Sequence, residues 1–271
     1  MRNMTKILAV LAVSALALTS CKKDVNTSSE EISQAVKDQI YAAGFGTDNI
    51  QKVEEGYLVE GDIILTPEWL NGNPARQILR VGTLEQYHTT NLVTGWPRTI
   101  TVSLSSKLAA KPGYSQALQE MVNRYNNVAN LDLNFVVGTG GAHINFVEGH
   151  GQYLASAGFP TNTGQPYGTV KVNAQFIGSS TTNTFINYLA TIFAHEAGHC
   201  IGFRHSDWFD RNISCGGSHV NEGQSTVGAI WIPNTPQAPD VDSGSWMLSC
   251  ISSGQNRLFT NYDKTALEYL Y

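Results

Sequence analysis

The segment His195-Glu196-Ala197-Gly198-His199 constrains this chain more than any other, because it places two imidazoles one helical turn apart. The apolar residues before it predict a helix that begins within residues 179–183. Gly202 can adopt a positive φ at low cost, so it is expected to end this helix and turn the chain back. His205 follows three residues later. The pattern therefore predicts that three imidazoles meet at one point.

Three neutral imidazoles suit Zn2+ and leave one coordination position open, as in catalytic rather than structural zinc sites. We therefore predict that His195, His199 and His205 bind zinc. Glu196 is predicted to be the general base, since a carboxylate beside the metal can take a proton from the zinc-bound water that attacks a carbonyl. The alternative, that these are surface or core histidines without a metal, leaves the spacing of Gly202 and His205 unexplained.

The residues from His195 to Asp207 resemble the metzincin metallopeptidases, and particularly the bacterial dual-action HEIGH metallopeptidases. That resemblance implies a metzincin-like zincin domain with a twisted mixed sheet, an active-site helix, a methionine turn and a C-terminal helix. It also implies that Met247 is the turn methionine that packs beneath the metal, although an ordinary core methionine is the alternative. In such enzymes an exposed edge strand pairs with the peptide substrate, and residues 152–158 are the candidate.

The run Val59-Glu60-Gly61-Asp62 resembles the latency motif of astacin prosegments, whose aspartate occupies the open position on the zinc. The resemblance implies that Asp62 is a latency ligand, and the alternative is a turn acid between two strands. Astacin-type relatives have a tyrosine two residues after the turn methionine, where this chain has Ser249, so no tyrosine is assigned to the site. No cysteine lies between Cys21 and Cys200, which excludes a cysteine switch in that segment.

Periodicity along the rest of the chain predicts an α/β or α+β domain, and the resemblance to metzincins implies the α+β class. Alternation of apolar and polar residues predicts a strand over 99–104, and apolar residues at intervals of three and four predict a helix over 114–128. Further strands are expected over 131–137, 144–147 and 169–172, and a last helix over 261–271. The earlier part of the chain predicts a short helix over 32–42 and a strand-like stretch over 57–65.

The N-terminus predicts export. Arg2 and Lys6 precede a short apolar run over residues 7–18, as in a signal peptide. Leu18-Thr19-Ser20-Cys21 resembles the lipobox of bacterial lipoproteins, which implies that Cys21 is lipidated and anchors the protein to the outer membrane or cell surface. The alternative is a plain signal peptide with an incidental cysteine. We therefore predict a signal peptide over 1–20, a tether and prosegment-like region over 21–97, and a catalytic domain over 98–271.

The roles of three cysteines and one aspartate remain open at this point. Cys200, Cys215 and Cys250 allow at most one internal disulfide, and the sequence does not choose among the three pairings. Asp207 is either a carboxylate that orients a ligand imidazole or a solvated loop acid.

Composition and motif together favour one function class over the others. A formal net charge of -5 offers no basic surface for nucleic acid, and 42% hydrophobic residues predict a globular protein. We expect a monomeric zinc metalloendopeptidase that acts on polypeptides. The alternative is a zinc-binding lipoprotein or pseudoenzyme that acts as a binding module, although such a module has no need of Glu196. Hydrolysis of a non-protein amide, such as a peptidoglycan stem or a mucin-type glycopeptide, uses the same chemistry and stays open.

Overall fold

The structure of the protein is a computed structural model. It describes residues 32–72, 86–139, 141–218, 221, 229–236 and 242–271. The predicted signal peptide, Cys21 and the first part of the tether lie outside the described residues. Residues 32–271 form one compact unit.

Within the described residues, one twisted mixed sheet contains eight strands in the order β1-β2-β3-β8-β9-β7-β5-β6. Neighbouring strands are parallel where β5 meets β6 and β7, and where β9 meets β7. The other pairs are antiparallel except β3 with β8, which is parallel. The strands of this sheet are β1 (Gln51–Val53), β2 (Gly56–Val59), β3 (Ile63–Leu65), β5 (Arg98–Leu104), β6 (Leu133–Val137), β7 (Ile144–Glu148), β8 (Ala155–Gly158) and β9 (Thr169–Val172).

A short second sheet pairs β4 (Tyr87–His88) with β10 (Ile230–Trp231), and His88 also forms a bridge with Phe203. The helices are α1 (Gln34–Ala42), α2 (Pro67–Gly72), α3 (Ser106–Ala109), α4 (Tyr114–Asn126), α5 (Ala174–Ile177), α6 (Asn183–Ile201), α7 (Asn212–Cys215) and α8 (Asn261–Leu270). The predicted α+β class and the elements expected after residue 98 are confirmed, including β9 at its predicted bounds.

The main core lies between the sheet and the two long helices α4 and α6. Their apolar faces bury Met121, Tyr125, Leu189 and Phe193 against inward-facing residues of the strands, as the spacing of three and four predicts. Almost the whole of α6 after its first turns is buried, so this helix runs through the interior and holds its side chains firmly. No helix in the described part of the chain has the length and apolar character needed to cross a membrane.

The N-terminal region forms a second cluster beside the main core. Phe45, Ile63 and Trp69 pack with Phe159, which follows β8. Strand β8 pairs with β9 on one side and with β3 of this region on the other, so it is not the exposed edge that the resemblance implied for residues 152–158. The stretch 57–65 was predicted as one strand-like run, but it forms a hairpin of β2 and β3. The reason is local, because Glu60 at φ 53 and Gly61 at φ 93 reverse the chain. Strands from both sides of the predicted boundary at residue 97 therefore belong to one sheet, and the boundary itself stays a prediction.

Candidate metal centre

Helix α6 carries two of the predicted ligands at its buried C-terminal end. Thr182 caps its first turn, and Gly202 ends it at φ 122. A Cβ at Gly202 would lie 2.9 Å from the carbonyl oxygen of Asn91, so both the backbone angle and the space require glycine. The chain then turns back and brings His205 to the helix. The predicted helix, its glycine stop and the return of the third histidine are all present.

The imidazoles are oriented by carbonyl groups of the backbone. His195 Nδ1 donates to the Trp246 carbonyl at 2.9 Å, and His199 Nδ1 donates to the Phe203 carbonyl at 2.8 Å. Because a carbonyl can only accept, these contacts place the proton on Nδ1 and leave a lone pair on Nε2. The two Nε2 atoms lie 3.1 Å apart. Two lone pairs at that separation repel each other unless a cation lies between them, so this donor set fits a metal ion.

Asp62 completes the cluster from the β2–β3 turn. Its Oδ1 lies 3.2 Å from His205 Nε2, and its Oδ2 lies 3.5 Å from His195 Nε2. The candidate ligand atoms of Asp62, His195, His199 and His205 all lie within 4.8 Å of one another. Zinc favours such a set of nitrogen and carboxylate donors. The structure therefore brings all three predicted histidines together with the aspartate of the latency hypothesis.

The charge states of these groups suit metal binding. Burial and the neighbouring His195 and His205 lower the pKa of His199 well below its usual value, so this imidazole is neutral. Burial opposes ionisation of Asp62, but the nearby histidines outweigh it and hold the pKa of this carboxyl well below its usual value. A neutral imidazole and an ionised carboxylate are the forms that coordinate zinc.

Glu196 lies beside the cluster at the wall of a cleft of about 230 Å³, which is also lined by Asp62 and His195. The side chain is buried, and its Oε2 atom has no hydrogen-bond partner among the described residues. Burial and the charge of Asp62 raise the pKa of Glu196 well above its usual value. A buried carboxylate with one free oxygen facing a cleft is equipped to exchange a proton there.

Residues 58–271 match the model of the dual-action HEIGH metallopeptidase family. The chain belongs to that family. It is a zinc metallopeptidase, a hydrolase, as the sequence predicted, and three histidines and an aspartate form a cluster that could hold the metal ion. No curated protein matches the chain.

Two solved structures of myroilysin are similar to this metallopeptidase. The first is 18% identical, covers 67% of this chain and 96% of its own, and superimposes with a TM-score of 0.41. The second is 15% identical, covers 72% of this chain and 98% of its own, with a TM-score of 0.37.

Met247 packs against helix α6 beside the histidine cluster, and its role as the turn methionine stays a prediction. Its side chain is fully buried, and a Cβ at Gly198 would lie 2.6 Å from its sulfur, so the thioether touches the helix between the two ligand histidines. Ser245 Oγ accepts from the Met247 N–H at 3.2 Å. Trp246, the preceding residue, supplies the carbonyl that orients His195. The turn therefore supports the metal site both by packing and by a hydrogen bond.

Two buried carboxylates hold the methionine turn of the peptidase. Asp263 accepts from the Ser245 hydroxyl and the Trp246 N–H, at 2.8 and 3.2 Å. Asp207 accepts from both the N–H and the hydroxyl of Ser249, at 2.9 and 2.8 Å. Of the two alternatives for Asp207, burial rules out the solvated loop acid, and the hydrogen bonds described for its carboxylate come from Ser249 and Ser214. It joins the chain after His205 to the chain after the turn.

The disulfide that the sequence left open joins Cys215 to Cys250, with a sulfur–sulfur distance of 2.13 Å. Cys200 is a buried free thiol. The bridge ties α7 to the segment just after the methionine turn, and Cys250 in that segment lines the cleft.

Sequence reasoning missed one strong contact near the site. Arg204, which directly precedes His205, is fully buried and pairs with both carboxylate oxygens of Glu60 at 2.8 Å. Its guanidinium also stacks over Phe45 with its centre 4.0 Å from the ring centroid. The sequence offered one weak signal: Arg204 lies between His199 and His205, and Glu60 lies two positions before Asp62. Neither spacing alone predicts that they meet.

Proposed function

We propose that this metallopeptidase is an endopeptidase in which Glu196 acts as general base, and that Asp62 keeps it latent. The observation that carries the proposal is the free, buried oxygen of Glu196 on the cleft wall, next to a cluster of four metal-ligand side chains. His195, His199 and His205 would hold the ion. When bound, zinc would acidify a coordinated water and polarise the substrate carbonyl.

The protein's own groups supply the proton transfers. Glu196 would take a proton from the attacking water and return it to the leaving amine. Its raised pKa suits this exchange, since burial and the charge of Asp62 both favour the protonated form. Departure of Asp62 would remove one of these causes, so the ionised form that accepts the proton would become more populated.

Latency is supported by two contacts of the same hairpin. Asp62 lies in the ligand cluster, and β3, which begins one residue later, pairs with β8. Strand β8 falls within residues 152–158, the segment predicted to pair with a peptide substrate. The hairpin would therefore occupy a position on the metal and a sheet edge that a substrate needs.

A second candidate is a zinc-binding protein without peptidase activity. The observation that favours it is the closed set of four ligands, because structural zinc sites are four-coordinate and lack an open position. Glu196 separates the two candidates, since a structural site gains nothing from an unpaired carboxylate beside it.

We also propose that the peptidase is exported, lipid-anchored through Cys21 to the outer membrane or cell surface, monomeric, and active on polypeptides. The anchor rests on the lipobox-like residues Leu18 to Cys21. Metabolic labelling with a lipid precursor, with Cys21→Ser as the control, would test it.

The test of the enzyme compares zinc content and cleavage of denatured casein and a short quenched peptide. Glu196→Gln should keep its zinc and lose cleavage, while Asp62→Ala should cleave the short peptide faster than wild type. The controls are Glu268→Gln and Asp48→Asn, which remove exposed carboxylates. Zinc in every protein with no cleavage in any would favour the binding role, and an Asp62→Ala chain no faster than wild type would contradict latency.

A further inference from the structure

Two arginines that the proposed mechanism does not use line the cleft beside the metal cluster, Arg211 and Arg257. Arg211 is partly exposed and donates to the carbonyl oxygen of Glu60 at 2.6 Å, whereas Arg257 is buried. Arg257 lines the cleft together with Ile192, Leu248 and Ile251. These apolar side chains form walls that suit the aliphatic part of a substrate residue. The cleft therefore combines an apolar wall with Arg257, the more deeply buried of its two arginines.

The backbone of Arg257 is held close to the metal helix. Its N–H donates to Thr191 Oγ1 at 3.1 Å, and its carbonyl accepts from Arg124 Nη1 at 3.3 Å. Thr191 precedes His195 by four residues on α6, so it lies one helical turn, about 6 Å, along the same face. Arg257 is thus positioned one turn from a metal ligand.

The guanidinium of Arg257 is poorly partnered for a buried charge. The residue is 7% exposed, and its Nε has no hydrogen-bond partner among the described residues. Its Nη2 makes one long contact, to Gln255 Oε1 at 3.4 Å. In the described part of the chain no carboxylate forms an ion pair with it, and the nearby Asp207 and Asp263 already accept hydrogen bonds from the methionine turn.

The other buried arginines of the protein differ in this respect. Arg124 Nε donates to Glu120 at 2.9 Å, and Arg204 pairs with both oxygens of Glu60. Burying a guanidinium without an anion is costly, and proteins normally supply a partner. Arg257 instead belongs to the lining of the cleft, where an anion that enters from solvent could complete its hydrogen bonds.

We propose that Arg257 determines substrate specificity by binding a substrate carboxylate next to the scissile bond. This inference rests on the proposed peptidase function. The carboxylate belongs either to an aspartate or glutamate side chain or to the free C-terminus of a short peptide. Arginine binds both through the same planar pair of N–H groups.

The kinetic test uses the zinc-loaded full chain with the substitution Asp62→Ala. Its substrates are short quenched peptides that have either glutamate or glutamine at the position directly before or directly after the cleaved bond. Each peptide is made with a free and an amidated C-terminus. We expect kcat/KM to favour an acidic peptide by about 10- to 100-fold, the range of a charged hydrogen-bonded pair. If glutamate peptides are cleaved faster than glutamine peptides when the C-terminus is amidated, Arg257 binds the side-chain carboxylate. If instead the peptides with a free C-terminus are cleaved faster than the amidated ones, Arg257 binds the α-carboxylate.

Arg257→Met should abolish the preference by slowing only the acidic peptides, and Arg257→Lys should keep part of it. Lys264→Gln, which removes an exposed cation on α8, should leave the ratio unchanged. Zinc content and melting temperature show whether each variant is folded. An equal rate for acidic and neutral peptides, or a preference that survives Arg257→Met, overturns the proposal.

A binding measurement keeps this inference separate from the peptidase function. Calorimetry with short glutamate and glutamine peptides on the zinc-loaded Asp62→Ala, Glu196→Gln chain needs no catalysis. Tighter binding of the acidic peptides that is lost in Arg257→Met supports the role of Arg257 even if no peptide is ever cleaved. Equal binding of both peptides overturns it even if the chain is an active peptidase.

Discussion

The buried pair between Glu60 and Arg204 should hold the hairpin that presents Asp62, and Glu60→Gln tests this. Both side chains are essentially excluded from solvent, at 1% and 0% exposure, and both carboxylate oxygens accept from Arg204 at 2.8 Å. Glutamine has nearly the same shape but no charge. The change therefore leaves the guanidinium buried without an anion, although the Gly44 carbonyl, at 3.2 Å from Nη1, and the glutamine oxygen still accept from it.

The expected cost follows from that geometry. Removing one partner of a buried ion pair costs about 3–5 kcal/mol, and glutamine should fall near 3 because its carbonyl still accepts one hydrogen bond. For a protein of this size that corresponds to a fall in melting temperature of roughly 6–12 °C. If the hairpin opens before the rest of the protein, the same loss makes the open form about 100-fold more populated.

The assay combines thermal unfolding with casein cleavage by the zinc-loaded chain. Glu60→Gln should melt lower and cleave casein faster than wild type, since the weakened hairpin uncovers the metal and β8. Glu55→Gln is the matched control, because Glu55 pairs with Lys171 in the same region but both side chains are partly exposed, at 26% and 22%. A Glu60→Gln chain that melts and cleaves like the control would show that the Glu60–Arg204 pair does not hold the hairpin in place.

Three further changes test the support of the site. Gly198→Ala should lower stability by about 1–3 kcal/mol and weaken zinc binding, because the added methyl would overlap the sulfur of Met247; an unchanged melting curve and zinc titration would contradict this. Replacing Cys215 and Cys250 by serine should cost about 3–4 kcal/mol, the entropy of releasing a 35-residue loop, and a denaturant titration measures it. Burial raises the pKa of Asp263 to about 6, so between pH 4 and 6 the folded protein keeps a proton that the unfolded chain loses, and stability falls as pH rises through this window. The Asp263→Asn variant has no carboxyl to titrate at this position. Between pH 4 and 7 the free energy of unfolding of the wild type should therefore fall by about 2–3 kcal/mol relative to that of the variant. A constant difference between the two would show that Asp263 is ionised throughout this range.

The histidine cluster could be predicted because its constraints are local. His195 and His199 are related by one helical turn, and Gly202 ends the helix by a backbone angle that glycine adopts readily. The third ligand needs only the short return that follows. Residue spacing therefore determined most of the geometry of the metal site.

The contacts that depend on long-range approach could not be predicted in the same way. Glu60 and Arg204 are 144 residues apart, and nothing in their flanking sequence identifies them as a pair. The disulfide had three equivalent pairings until the fold brought Cys215 to Cys250. The role of Asp207 stayed open between an imidazole partner and a solvated acid because the sequence does not show that Ser249 lies opposite it.

Three residues in the short loop after α6 each contact a different part of the site. Arg204 holds the N-terminal hairpin, His205 faces Asp62, and Asp207 holds the segment after the methionine turn. Glu60 and Asp62 are two residues apart, so they are at most about 7 Å apart along the chain. A change at Asp62 alone frees a metal position but leaves Glu60 bound to Arg204 and β3 on β8. Short peptides that need no sheet edge should therefore gain most from Asp62→Ala, whereas casein should gain most when the Glu60 contact is lost, because only then can the whole hairpin leave the cleft.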